Sequence, residues 1–145
     1  MRWKVGAGIS LLVLILWGLT GPHFMISLDK RTYSAGEEPE LTIRNVGLAP
    51  IYFGQGYIIY RWENGSWVGV RTPFFFFDIL YDLPPFHSWK QSVALKYLPE
   101  NESPGEPRSY PDLPPGRYRL VKRICGLPLG CRNASVEFEV ENDRR

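Results

Sequence analysis

The 145-residue chain carries 17 basic and 15 acidic residues, with 44% hydrophobic and 14% aromatic content. Arg2 and Lys4 account for the whole surplus of positive charge, so the remainder is neutral with the two signs interspersed. Nothing in that balance suggests the basic face or stripe a nucleic-acid backbone requires, and the length allows one domain with a real core but not comfortably two.

Residues 1–21 read as a targeting segment. Arg2 and Lys4 precede an uncharged, largely apolar run from Val5 to Gly21, the pattern of a cleaved signal peptide or a retained membrane anchor. Leu19 is bulkier than a cleavage site prefers and Pro22 follows Gly21 directly, which favours the anchor. The run is short for a bilayer span, but His23, Phe24, Met25 and Ile26 could extend it, and Trp17 suits the outer interface. A buried core helix is the remaining reading. No cysteine adjoins the run, so a lipid anchor is not expected. The expectation is one N-terminal hydrophobic helix, with residues 22–145 outside the cytoplasm, either held at the cell membrane by a single pass or secreted.

After residue 21 the apolar residues alternate with period two, and no helical stripe of useful length occurs. In Glu40–Arg44, Leu41 and Ile43 share a face. In Tyr57–Glu63, Ile58, Tyr60 and Trp62 share one, and Asn64-Gly65-Ser66 then turns the chain into Trp67–Val70 as a hairpin. The run Phe74–Leu83 parses as a strand, with Phe75, Phe77, Ile79, Tyr81 and Leu83 on one side and Phe74, Phe76, Asp78, Leu80 and Asp82 on the other. Pro84-Pro85 ends it. A further segment covers Ser88 to Leu98, and the acidic, proline-rich stretch Pro99–Pro115 reads as a solvated loop. The last two strands place Tyr118, Leu120 and Ile124 on one face, with Lys122 the mismatch, and Val136, Phe138 and Val140 opposite Glu137, Glu139 and Glu141. Arg119 and Arg123 can meet those glutamates across the strands. The fold class is all-β: a sandwich of about seven to nine short strands, with a small barrel as the alternative.

Several of these pieces carry a resemblance: Tyr33-Ser34-Ala35-Gly36-Glu37, Leu41–Asn45, Pro50–Gly54, Gly65-Ser66-Trp67, Leu113–Lys122 and Val136–Val140. In that order, across roughly residues 26–140, the chain resembles the small immunoglobulin-like domain of secreted and membrane-anchored bacterial and archaeal proteins. The resemblance implies an extracytoplasmic module and brings no catalytic residues with it. The most specific piece is the proline–glycine turn entering Gly116-Arg117-Tyr118-Arg119. Tyr118 there is placed as a corner tyrosine, its ring in the core and its hydroxyl on backbone across the turn. Trp67 reads more readily as a core residue than as a ligand platform.

The residues that could carry chemistry are few. Cys125 and Cys131, separated by Gly126-Leu127-Pro128-Leu129-Gly130, read as a disulfide closing the last hairpin in an oxidising compartment, worth roughly 2–3 kcal/mol. His23 and His87 lack ligand spacing to them, so no metal and no cofactor is expected. His87 and Ser88 point to opposite faces of a strand, and Asp78 and Asp82 would stand roughly 13 Å apart along one. A small hydrolase is therefore disfavoured. Sequons place candidate glycosylation at Asn64, Asn101 and Asn133, each expected in a turn or loop. By alternation Phe74, Phe76 and Leu80, together with Phe86 and Trp89, form an exposed apolar surface that would dock a protein partner in the cell envelope. A saccharide-binding module using Trp62, Trp67 or Trp89 is the alternative. An exposed, coplanar aromatic row would distinguish it.

Overall fold

The alternation seen in the chain is realised as strands wherever β-branched, aromatic and leucine residues recur every second position. The computed structural model describes residues 9–13, 15–16, 22–74, 76, 78–102, 110–126 and 130–142. Among them ten strands form: β1 Phe24–Leu28, β2 Thr32–Ser34, β3 Glu40–Asn45, β4 Ile51–Gly54, β5 Ile58–Glu63, β6 Ser66–Gly69, β7 Leu80–Leu83, β8 Ser88–Ser92, β9 Gly116–Gly126 and β10 Gly130–Glu141. One sheet has the order β1-β3-β8. The other runs β2-β10-β9-β4-β7, with β5 paired to β9 and carrying β6 as its hairpin partner. The count exceeds the expected seven to nine because very short strands join the sheets. One of them, β2, runs parallel to β10, a pairing that no turn signal announces.

The expected N-terminal membrane helix is not supported. Among the described residues no helix is long and apolar enough to cross a membrane. Residues 9–13 and 15–16 are helical, while Arg2, Lys4 and Trp17 lie outside the described residues. Of the residues read as extending the run, Phe24, Met25 and Ile26 form β1, paired antiparallel with β3, and Pro22 before them is buried against Gly126. The single-pass anchor, and contact with the membrane through it, are corrected accordingly.

Two apolar clusters fill the space between the sheets. Tyr33, Leu41, Ile59, Val93, Leu113, Tyr118, Leu120 and Phe138 are in one; Ile43, Ile51, Phe53, Leu83, Ile124 and Ala134 are in the other. Tyr118 takes the corner position read from the sequence: its ring is buried and stacked on Phe138, and its hydroxyl donates to the Pro114 carbonyl. Buried Asn45 ties the sheets at one end. Its amide donates to the Ala49 and Leu83 carbonyls, and its oxygen accepts from the Gly47 N–H.

Lys122, the mismatch on β9, has a structural reason. β9 pairs with β4 at Tyr52–Cys125 and with β5 from Ile58–Val121, so its partner changes between those points. The chain crossing from β4 to β5 leaves the part-buried carbonyls of Gln55 and Gly56 without ladder partners, and the Gln91 amide donates to the first of them at 2.8 Å. Lys122 Nζ reaches both, at 3.2 and 3.1 Å, and also Gln91 Oε1 at 3.1 Å from the opposite sheet. The Trp89 and Phe53 rings lie 5.1 and 5.6 Å from the ammonium. No carboxylate is among these contacts, and burial pushes the Lys122 ammonium down to about 8.

Candidate functional site

The hairpin of β5 and β6 outruns the core and borders two concave surfaces, one on each side. Asn64 and Gly65 turn it with φ of 48° and 82°, the positive values that a two-residue hairpin loop requires. On its inner side, between the hairpin and the segments around Tyr97–Glu100 and Leu113–Pro114, lies a cleft of about 420 Å³. Val68, Val70, Leu98, Pro99, Leu113 and Tyr118 give it an apolar lining, and Arg61, Glu63, Arg71 and Glu100 also line it. The arginines are held in place. Arg61 lies over the Tyr118 ring and donates to the Pro115 carbonyl, and Arg71 donates to the Glu100 carbonyl at 3.3 Å.

The outer side is an aromatic–arginine ladder. Trp62 and Trp67 face each other across the hairpin at 5.1 Å with planes 63° apart. The Arg119 guanidinium covers Trp67 at 4.3 Å, and Arg117 lies 5.7 and 5.6 Å from the two indoles. Glu137 accepts from both arginines, at 2.9 and 2.8 Å, and these bonds hold its carboxyl below the usual range. The expected cross-strand meeting of Arg119 with Glu137 is thus present, whereas Arg123 stands opposite Asn133. A groove of about 320 Å³ adjoins the ladder, lined by Tyr60, Trp67, Arg119, Val121, Asn133 and Ser135.

The aromatic surface expected from Phe74, Phe76, Leu80, Phe86 and Trp89 is divided by the fold. Phe76 packs on Tyr57 at 4.8 Å and against the core, and Phe74 is half-buried. Trp89 packs between Phe53 and Tyr81, with ring centroids at 4.9 and 5.0 Å, on the side of Lys122. Leu80 and Phe86 remain open, 66% and 60% exposed. Alternation fails here because the described strand begins only at Leu80. Phe75 and Phe77 lie outside the described residues.

Cys125 and Cys131 form a disulfide between directly opposed residues of β9 and β10. Asn64 and Asn101 are exposed in turns, while Asn133 is exposed on β10 rather than in the expected loop. Among the described residues no three His, Cys, Asp or Glu side chains gather where they could hold a metal ion. Trp67 belongs to neither core cluster, contrary to the expectation from sequence. The cleft went unread because its lining comes from four separate stretches, none of them a motif.

A protein family described as "Bacterial Ig-like domain" matches residues 20–143. No curated protein matches the chain. Among solved structures, the chain is similar to a β-glucosidase from Listeria innocua in complex with gluconolactone. Identity there is 12% and the TM-score 0.38, over 82% of this chain and 16% of that one. It is also similar to the Pseudomonas fluorescens alkylpurine DNA glycosylase AlkC bound to DNA containing an abasic site analog. Identity is again 12% with a TM-score of 0.37, over 90% of this chain and 36% of that one.

Proposed function

The chain belongs to the family of bacterial Ig-like domains, non-catalytic structural and adhesion modules, and from that premise we propose that it works outside the cytoplasm by docking a protein partner in the cleft beside the β5–β6 hairpin. The observation that carries this reading is the cleft itself. Its floor is apolar, and two arginines and two glutamates line it as well. Apolar centres flanked by fixed charged groups are what protein interfaces use, and tyrosine and arginine are prominent among residues that dominate binding. Val68, 44% exposed on the hairpin, offers an anchoring contact without being required by the core.

Saccharide binding is less well supported by the aromatic residues. The Trp62 and Trp67 planes are far from parallel, Arg119 occupies a face of Trp67, and Trp89 is packed inside. Trp62, Trp67 and Trp89 therefore form no coplanar row for a sugar chain to stack on.

The test is crosslinked capture of the native protein from its own cells, in wild-type form and as Val68→Glu. The expected result is a stoichiometric protein bound to the wild type and lost from the variant, with the thermal midpoint of the two alike. A partner retained equally by both forms would place docking elsewhere. Recovery of the wild type alone would refute protein docking.

A further inference from the structure

We propose that Asn133 is an N-glycosylation site, and that the first sugar attached there packs into the groove formed by Tyr60, Trp67, Val121 and Ser135. Three sequons occur in the chain, but they are not equivalent in space. Asn64 sits at the tip of the hairpin, where a side chain on the adjoining Gly65 would meet no atom within 4 Å. Asn101 is exposed in a turn. Asn133 alone of the three lines one of the cavities described above, and the wall of that groove includes the serine of its own sequon. Asn133 and Ser135 stand two apart on β10, so both side chains emerge on the outer face of the sheet. The Asn133 carboxamide makes no hydrogen bond to another described residue. It is free to react without loss to the fold.

The groove suits a sugar that is already attached. Tyr60, Val121 and the uncovered part of Trp67 supply apolar surface, and the Arg119 guanidinium and Ser135 hydroxyl supply polar groups beside it. A free saccharide would need an open stacking face to bind from solution. A tethered one needs only weak contacts, because its effective concentration beside the groove is high. The disulfide two positions along β10, at Cys131, is in keeping with the oxidising compartment where such transfer takes place. The co-reactant is a saccharide linked through a diphosphate to a membrane lipid. The Asn133 amide nitrogen forms a bond to its anomeric carbon and the carbon–oxygen bond to phosphate breaks. The lipid diphosphate leaves with the bonding pair, and a base of the transferase takes one amide proton.

The proposal rests on the extracytoplasmic reading above, and its test separates the two. Protease treatment of intact cells locates the domain, and mass spectrometry of the full chain purified from those cells reads the peptide containing Asn133. The expected result is an accessible domain whose Asn133 peptide carries saccharide, with the added mass absent from Asn133→Gln. An accessible domain with unmodified Asn133 overturns this inference and leaves the extracytoplasmic reading standing. A protected domain overturns both. The packing claim has its own readout: a glycosidase should release the sugar more slowly from the wild type than from Trp67→Ala, with Tyr60→Ala as a second variant. Equal rates in all three would overturn it.

Discussion

Raising the pH from 7 to 10 should stabilise the domain, because Lys122 sits where its charge is disfavoured. Burial lowers its ammonium from the ordinary 10.5 to about 8. The unfolded chain keeps that proton up to the ordinary value. Between the two limits the unfolded state therefore holds more protons than the folded one, and stability rises with pH. Below pH 8 both states are protonated and the cost of burying the charge is felt in full. A shift of this size corresponds to about 2–3 kcal/mol gained between pH 7 and pH 10. That figure is a ceiling, since the oxygens of Gln55, Gly56 and Gln91 and the rings of Trp89 and Phe53 all favour the charged form. Above pH 10 the sign reverses. Burial raises the hydroxyls of Tyr33, Tyr57 and Tyr118, so the unfolded chain ionises them first and stability falls. Urea unfolding of the wild type and Lys122→Met, at fixed ionic strength across pH 7–10, measures the effect. The wild type should gain relative to the variant as pH rises. Parallel profiles would refute the reasoning and show that the three acceptors fully offset the cost of burial.

Phe76→Ala should lose about 2 kcal/mol, less than a wholly buried phenylalanine loses, while Phe86→Ala should stay within about 0.5 kcal/mol of wild type; urea midpoints separate the two. Tyr118→Phe removes the hydrogen bond to the Pro114 carbonyl and should cost about 1–2 kcal/mol by the same measurement. Joint replacement of Cys125 and Cys131 by serine should lower stability by roughly 2–3 kcal/mol. A reducing agent should then destabilise the wild type and leave that variant unmoved.

The sequence was most readable where a turn fixed the phase of a strand. Pro114-Pro115-Gly116 leads into β9, so Tyr118 could be placed inward with its hydroxyl on the corner, and a meeting of β9 arginines with β10 glutamates could be expected, which the register narrows to Arg119 with Glu137. Period-two alternation says which residues share a face, but not which face meets the core. On β5 the shared face of Ile58, Tyr60 and Trp62 points outward, and Ile59 is the residue buried. For the phenylalanine run even the period was misleading, because strand geometry starts only at Leu80 and Phe76 turns in to meet Tyr57. Lys122 was legible as an anomaly and not as a solution, since the carbonyls it serves belong to a crossing between two strands that share β9.

The sharing of β9 between β4 and β5 also bears on why a cleft exists at all. β9 takes β5 as its partner only from Val121 back to Tyr118, while β5 continues to Glu63 and turns into β6. Beyond Ile59 the inward face of β5 has outrun the second sheet, so Arg61 and Glu63 occupy positions that elsewhere on a sandwich strand would hold core residues. Polar residues at core phase mark the point where a hairpin leaves the core. The surface thus released keeps the apolar neighbours Val70, Leu98 and Leu113 of the core it adjoins. An arm of this kind gains an apolar floor without a binding motif. Its residues are ordinary strand residues, and their number of neighbours falls only because the opposing sheet stops short.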